Sequence, residues 1–435
     1  MRVAVIGTGH VGLVTCVTFA ALGHEVVGTD SDDEKIRNLK LGIVPFYEPG
    51  VAELLREGFV NGRLSFVSDY RDAVPEADVV FICVGTPPRS SGEANLIAVE
   101  KAAREVARHA AGRTVLAEKS TVPAGTADRL GRAIKLERPD TNELEVVSNP
   151  EFLREGKAVE DSLNPDRILV GAESQTALET MRSIYRPLTD RGIPLIETDI
   201  KTAELAKHAS NAFLALKISY ANALSRLCER AGADVVAVTK VMGHDARIGS
   251  QFLRAGLGYG GYCFPKDLDA FEHLASQLGY EFGLLSEVRK INDEAVDAAA
   301  DKVKDALWNL EDKRVALLGL SFKPGTDDVR LSPALALARR LLEEGAQVIG
   351  YDPQAGDEAK LEVPEMTVVN DAYDAVVDAH CAVVATEWEE FADLDLGKLR
   401  ELMAYPVMVD GRNLFDPAVM AQAGFVYYPT GRPSS

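Results

Sequence analysis

RVAVIGTGHVGLVTCVTFAALGHEVVGTD, residues 2–30, is the stretch that decides the fold. It reads as a strand, a glycine turn, a helix with apolar periodicity and a second strand, which together make a βαβ unit. Gly7, Gly9 and Gly12 form G-x-G-x-x-G directly after the first strand and at the start of the helix, and Asp30 closes the second strand. Gly7 permits the tight turn, Gly9 lets a pyrophosphate approach the backbone, and Gly12 lets helix and strand pack closely. The anion then sits on unpaired N–H groups at the positive end of the helix. Asp30 can accept hydrogen bonds from a ribose diol. It also disfavours a 2′-phosphate, since like charges about 4 Å apart repel by about 4 kcal/mol per pair at an effective dielectric near 20. The expected cofactor is NAD rather than NADP.

Working outward, ADVVFICVGTPP (residues 77–88) reads as a buried parallel strand ending in a loop. TVLAEKSTVPAGT (residues 114–126) reads as another. Ligands of open α/β sheets bind at the carboxyl ends of strands, so Thr86 and Thr121 are candidates for lining the cofactor site, although either could be a plain turn hydroxyl. The same rhythm returns in RVALLG, SPALALARRLLEEG, QVIGYDP and CAVVATEWEEF between residues 314 and 391. This second half carries GLSFKPGTDDVR after its first strand, placing Lys323 and Arg330 where the first half has glycine. A nucleotide bound there would be held by cations, while each charge taken singly also fits a solvated loop.

Between the halves, residues 201–232 lack proline and place Leu205, Ala209, Ala212, Leu216, Tyr220 and Leu224 at helical spacing. They predict one long helix stopped near Gly232, able to bridge the two sheets and to pair with a second copy of itself. A helix buried within a monomer would read the same way. The expected architecture is α/β: two Rossmann-like, doubly wound parallel-sheet domains joined by a long central helix. The boundaries are 1–200 for the NAD-binding domain, 201–300 for a central helical region and 301–435 for a second Rossmann-like domain.

The 435 residues exceed one ordinary core, and 46% hydrophobic with 26% charged residues suits a globular protein. A net charge of −20 argues against nucleic acid or an anionic membrane as partner. Met1 leads straight into a strand, with no signal pattern and no apolar run long enough to span a bilayer, so a cytoplasmic location is expected. Cys16, Cys83, Cys228, Cys263 and Cys381 are odd in number, scattered and free of metal-ligand spacing, which predicts reduced thiols and no metal site. Four lie in apolar contexts.

Cys263 stands apart, in GLGYGGYCFPKD (residues 256–267), with four glycines before it and a lysine and an aspartate after it. That pattern fits either a site built on a thiol or a tight turn holding an incidental cysteine. Lys207 and Asn211 stand at i and i+4 on the predicted helix and share a face. They could together polarise an oxygen, but spacing alone favours an exposed polar pair.

Taken together, GTGHVG, VGTPP, EKSTVPAGT, SNPEFLREGKAVEDSLNPDRILVG, AELAKHASNAFLALKISYANAL, DARIG, GYGGYCFPKD, GLSFKPGTDDVR and DGRNLFDP resemble the UDP-glucose/GDP-mannose dehydrogenase family over essentially the whole chain. The resemblance implies an NAD-dependent four-electron oxidation of the C6 alcohol of a sugar nucleotide to a carboxylate, through a thiohemiacetal and a thioester. Cys263 would be the nucleophile. Lys207 and Asn211 would hold the oxyanion, Asp267 and Thr121 would place water, and Glu151 would be the base for hydrolysis, with Glu155 on the nicotinamide side. To the cofactor residues the resemblance adds Val11, Lys35, Thr86, Thr121, Glu155, Lys266 and Arg330. For the sugar nucleotide it implies Glu151, Phe152, Leu153, Lys207, Asn211, Phe252, Leu253, Arg254, Gly256, Gly260, Lys323 and Arg412. Arg247 would reach the substrate of the other subunit of a homodimer.

One departure bears on the substrate. Members of the family carry a small residue before the nucleophile, and this chain has Tyr262. The FPKD and RNLFDP segments favour UDP-glucose, against GDP-mannose or a UDP-N-acetylhexosamine. A single-step NAD-dependent hydroxyacid dehydrogenase would use Thr121, Lys207 and Asn211 without needing Cys263. A catalytically silent nucleotide-binding regulator would keep the glycines without needing Cys263, Lys207, Asn211 and Asp267 together.

Overall fold

The computed structural model describes residues 1–139 and 143–433. The chain divides into two compact units, Met1–Ser210 with Asp269–Tyr280, and Asn211–Leu268 with Glu281–Ser435. Each is built on a sheet of short strands that are buried on both faces, as parallel strands covered by helices must be.

In the first unit the strands are β1 (Arg2–Ile6), β2 (Glu25–Thr29), β3 (Leu64–Val67), β4 (Val79–Ile82), β5 (Thr114–Glu118), β6 (Leu144–Ser148), β7 (Ile168–Gly171) and β8 (Leu195–Thr198). Their order is β3-β2-β1-β4-β5-β6-β7-β8. All pairs are parallel except β6 and β7, which meet antiparallel at Ser148 and Gly171, so β7 and β8 extend a six-stranded doubly wound sheet as a parallel pair of their own. The alternating faces of β1 feed two cores: Val3 and Val5 pack with Leu13, Val17 and Phe81, while Ala4 and Ile6 pack with Val80, Ile82 and Val106. Each large side chain so buried contributes ~1.5–3 kcal/mol. The strand order reverses between β1 and β4, and the crevice at their carboxyl ends is where a dinucleotide binds in this topology.

The second unit repeats the plan with β9 (Arg314–Leu318), β10 (Gln347–Tyr351), β11 (Thr367–Val368), β12 (Cys381–Val384), β13 (Val407–Asp410) and β14 (Val426–Pro429). The order is β11-β10-β9-β12-β13-β14, and every pair is parallel. The resemblance between the two halves of the sequence is thus a resemblance of sheets. Gly7 and Gly319 end the equivalent strands β1 and β9 with φ of 90° and 93°, a left-handed turn that glycine adopts without strain.

The expected long helix is present as Ile200–Ala231, ending before Gly232 at φ 68°. The predicted stripe straddles the boundary, with Leu205, Ala209 and Tyr220 exposed, Leu216 and Leu224 half-buried and Ala212 buried. Leu205, Phe213, Tyr220 and Leu227 are exposed, whereas Ala203, Lys207, Asn211, Ala215, Ser219 and Asn222 are buried. Among the described residues, no helix is long and apolar enough to cross a membrane.

Candidate active site

At the crest of the first sheet each glycine of the loop has a distinct environment. A Cβ on Gly12 would lie 1.8 Å from the Gly7 carbonyl oxygen, and one on Gly7 would lie 2.9 Å from the Cys83 carbonyl oxygen. A Cβ on Gly9 would meet nothing within 4 Å. Gly7 and Gly12 are therefore required by packing, and Gly9 borders open space at the head of the helix His10–Ala21, which suits a pyrophosphate. Val11 is half-buried against the core behind the loop.

Asp30 at the end of β2 accepts from the Thr8 N–H at 2.8 Å, the Thr8 hydroxyl at 3.0 Å, the Asp32 N–H at 3.1 Å and Lys35 Nζ at 3.1 Å. Burial alone would raise its carboxyl. The N–H groups of Thr8 and Asp32 and the Lys35 ammonium outweigh it, so Asp30 is held below the ordinary carboxylate range and stays ionised. The sequence-predicted pair of Asp30 and Lys35 is thus a single cluster. Thr86 and Thr121, at the ends of β4 and β5, also meet: the Thr86 hydroxyl donates to the Thr121 carbonyl at 3.0 Å.

Lys207 is 3% exposed, and its Nζ lies 3.0 Å from Glu151 Oε1 and 5.2 Å from the centroid of Phe152. Asn211 is also buried. The reading of these two as an exposed polar pair is therefore corrected: helical spacing placed them on one face, and that face is the inner one. Glu151 accepts in addition from the Leu153 N–H at 2.7 Å, and Arg167 stacks on Phe152 at 3.8 Å. Glu155 is half-buried in the turn that follows.

Two buried carboxylates that carry no sequence signal hold these loops. Glu204, one turn before Lys207, accepts from the N–H groups of Gly125 and Ala127 at 2.6 and 2.8 Å and so caps the helix Thr126–Glu137. Burial pushes its carboxyl up. His208 Nε2 lies 2.9 Å from the Val122 carbonyl, so the long helix grips both ends of the loop after Thr121. Glu48 accepts from the N–H groups of Gly156 and Ala158 at 2.7 and 2.8 Å and pairs with His10 Nε2 at 2.8 Å. It links the glycine loop to the segment bearing Glu151 and Glu155.

In the second unit, residues 256–262 form the loop before Cys263. Gly258 and Gly261 have φ of 97° and 77°, and a Cβ on Gly260 would lie 2.4 Å from the Leu331 carbonyl oxygen. Cys263 is the first residue of the helix Cys263–Gln277, where the helix dipole favours a thiolate, and it is partly exposed. One turn on, Asp267 accepts from Asn211 Nδ2 at 2.6 Å and from Lys266 Nζ at 2.7 Å. Cys16, Cys83, Cys228 and Cys381 are buried, as their apolar contexts predict. Burial pushes the thiols of Cys83 and Cys381 up to about 12 and raises those of Cys16 and Cys228.

Of the residues assigned to the sugar nucleotide, Lys323 follows β9, Arg412 follows β13, and Phe252, Leu253, Arg254 and Gly256 lie in the segment that leads to Cys263. Gly256 packs where a Cβ would be 2.6 Å from the Gly411 carbonyl oxygen, and its N–H donates to Asn222 Oδ1 at 2.7 Å. Phe252 has φ 63°, Leu253 is buried and Arg254 is exposed. Arg412 donates from Nε to the Ala385 carbonyl at 2.7 Å, while its buried Nη2 has no hydrogen-bond partner among the described residues and suits an incoming acceptor. Lys323 Nζ lies 5.2 Å from the ring of Phe322. Arg330 is chelated by Asp328. Arg247 is exposed, with its guanidinium on Asp245.

The chain matches the models of three domains of one family: the NAD binding domain of the UDP-glucose/GDP-mannose dehydrogenase family over residues 1–189, its central domain over 201–294 and its UDP binding domain over 316–417. It is 44% identical to a UDP-glucose 6-dehydrogenase of Rhizobium meliloti (strain 1021), covering 100% of both chains. It is 42% identical to UDP-glucose 6-dehydrogenase YwqF of Bacillus subtilis (strain 168), covering 99% of this chain and 98% of that one. The solved UDP-glucose dehydrogenase of the hyperthermophilic archaeon Pyrobaculum islandicum matches with a TM-score of 0.92 at 39% identity, covering 99% of this chain and 98% of that one.

Proposed function

The chain belongs to the UDP-glucose/GDP-mannose dehydrogenase family, and from that premise we propose that it is an NAD-dependent UDP-glucose 6-dehydrogenase, forming UDP-glucuronate by two oxidations at one carbon. The observation that carries the proposal is Cys263 at the head of a helix whose next turn presents Asp267, held by Asn211 and Lys266.

NAD, when bound, accepts the hydride that leaves C6 in each oxidation. The glycine loop offers N–H groups to its pyrophosphate, and Asp30, oriented by Lys35 and Thr8, takes the ribose hydroxyls. Thr86 and Thr121 shape the crevice at the ends of β4 and β5, and Val11, Glu155, Lys266 and Arg330 complete the set assigned to the cofactor. Lys207 and Asn211 donate to the C6 oxygen and stabilise the alkoxide formed as its hydroxyl proton passes to water held by Asp267, and the alkoxide's electron pair closes the C=O bond as the hydride leaves. Cys263 then adds to the aldehyde: a C–S bond forms, the carbonyl π pair moves to oxygen, and the adduct is a thiohemiacetal. Loss of its C6 hydride leaves a thioester. Water held by Thr121 and Asp267 attacks that carbon, Glu151 takes one of its protons, the C–S bond breaks to return the thiolate, and the acid gives its remaining proton to solvent and leaves as the carboxylate. Phe152, Leu153, residues 252–256, Gly260, Lys323 and Arg412 hold the rest of the sugar nucleotide. The division into 1–200, 201–300 and 301–435 follows these tasks.

The exposed apolar stripe of the helix Ile200–Ala231 supports a homodimer. Phe213 and Leu227 are each 60% exposed, and Val236, Val241 and Ile248 continue the apolar surface beyond that helix. A second copy buries it, and Arg247 is the exposed cation that would reach the partner's substrate. Five thiols without a disulfide fit the reducing cytoplasm.

The test is the absorbance yield of NADH from limiting UDP-glucose with excess NAD. Two per sugar is expected. One per sugar would remove the thioester and leave a single-step dehydrogenase, and none would remove UDP-glucose as the substrate.

A further inference from the structure

Tyr262 lies immediately before the nucleophile, and the steps above give it no task. Its ring is flanked by two cations: the Arg330 guanidinium carbon is 4.8 Å from the ring centroid and Lys266 Nζ is 5.8 Å from it. Both distances are within the range where a cation is drawn to the face of an aromatic ring. The ring is placed by the glycines before it. Gly261 donates its N–H to the Arg330 carbonyl at 3.0 Å, and a Cβ on Gly261 would lie 2.7 Å from the ring of Phe322. With Gly260 seated against Leu331, the loop is stitched to the segment carrying Arg330 at two successive residues, leaving Tyr262 little freedom.

Each cation also has a carboxylate, Asp328 for Arg330 and Asp267 for Lys266. Asp328 takes both prongs of the Arg330 guanidinium and Asp267 the Lys266 ammonium, and the Tyr262 ring is a further contact on each cation. The cations at the Tyr262 ring are Lys266 and Arg330, and Cys263 follows Tyr262 directly and opens the helix whose first turns also carry Lys266 and Asp267, so the thiol belongs to the same cluster. We infer that Tyr262 is a positioning residue: its ring seats Arg330 and Lys266 beside Cys263, so that the thiolate forms and attacks in a fixed cationic frame. The inference rests on the reading of Cys263 as nucleophile, and it assigns the work to the aromatic face rather than to the hydroxyl.

The test uses the full-length protein without substrate and measures the rate of iodoacetamide alkylation at Cys263 from pH 5.5 to 9.5, located by peptide mass. Cys263→Ser supplies the background from the buried thiols. Tyr262→Phe keeps the ring and is expected to follow the parent profile. Tyr262→Leu keeps most of the bulk and loses the π face, and it is expected to slow alkylation at neutral pH by about fivefold with the rate–pH curve moved upward. Tyr262→Ser, which opens the position, should behave as Leu does, so a folding defect in one variant leaves the other to decide. A parent-like profile in the folded Leu or Ser variant overturns the inference, and so does a Phe variant slowed as much as Leu. Failure of the underlying reading looks different: Cys263→Ser would then carry UDP-glucose to the acid at the parent yield, whatever the alkylation profiles show.

Discussion

Replacing Lys207 by Met removes the partner of a carboxylate that cannot reach solvent, which makes it the sharpest perturbation of the first unit. The side chains of Lys207 and Glu151 are 4% and 8% exposed and stand 3.0 Å apart. Breaking such a buried pair by removing one member costs ~3–5 kcal/mol, because the remaining charge is left uncompensated. The Leu153 N–H still donates to Glu151 at 2.7 Å, so the lower end applies, about 3 kcal/mol. For a unit on the order of 200 residues, ~2–4 °C per kcal/mol gives a fall of about 6–12 °C in the transition of the first unit by scanning calorimetry. The double variant Lys207→Met/Glu151→Gln removes both charges. It should melt above the single variant, with a coupling of at least ~1.5 kcal/mol in the cycle. Additive effects, or a Lys207→Met protein melting within about 2 °C of the parent, would refute the pairing as the force that holds Glu151.

The remaining predictions address the cofactor loop, the acid that reads the ribose and the outer face of the long helix. Gly9→Ala should leave the melting temperature unchanged and weaken NAD binding at least tenfold, about 1.4 kcal/mol, whereas Gly12→Ala should destabilise the fold, because of these two glycines Gly12 is the one whose Cβ would meet backbone. Calorimetric titration and a thermal melt of each variant separate the two. Asp30 is held below its ordinary value, so its contribution to stability is complete above about pH 4 and is lost as pH falls through the lowered pKa. The melting temperature of Asp30→Asn should therefore lie below the parent at pH 7, with the gap closing as pH falls below the ordinary carboxylate range; a gap that widens in acid would contradict the assignment. Phe213→Asp with Leu227→Asp should give a monomer by light scattering with unit secondary structure intact, and an unchanged mass would leave the apolar stripe without its proposed cover.

The sheets were legible because burial on both faces makes each strand an apolar run, and the glycine turn fixes which end of the sheet binds. The long helix was legible in its length and its stop at Gly232. Its orientation was not. Periodicity identifies a stripe containing Leu205 and Tyr220 without saying what covers it, and here both of these are exposed while the buried residues mix alanines with the polar Lys207, Asn211, Ser219 and Asn222. Glu204 and Glu48 were invisible for another reason. They bond to N–H groups 77 and 79, and 108 and 110, residues away, so no local pattern marks them as caps. A carboxylate between apolar neighbours, as in AELAKH, was the sole hint that Glu204 is buried.

The repetition of one sheet plan also shows how a site can be moved without changing the fold. Asp30 and Asp352 end equivalent strands, β2 and β10, and both turn back to the N–H groups after the preceding glycine. Asp30 keeps part of its carboxylate accessible beside the open space at Gly9. Asp352 accepts from Leu320, Ser321, Gln354 and Ala355 N–H groups, from the Ser321 hydroxyl and from Trp388 Nε1, so its acceptor capacity is spent inside the protein. A ribose diol offered to Asp352 would have to break bonds that Asp30 leaves unmade. On the proposed function, the nucleotide grip of the second unit would then fall to groups that still have bonding capacity, above all Nη2 of Arg412 after β13, which has no hydrogen-bond partner among the described residues. Asp352→Asn should then cost stability and leave the apparent affinity for UDP-glucose nearly intact, whereas Arg412→Lys, which keeps the charge and loses the planar fork, should weaken that affinity at least tenfold with little change in melting temperature. Initial rates at varied UDP-glucose and a thermal melt decide it, and an Asp352→Asn protein with parent stability and a raised KM would place the ribose at Asp352 after all.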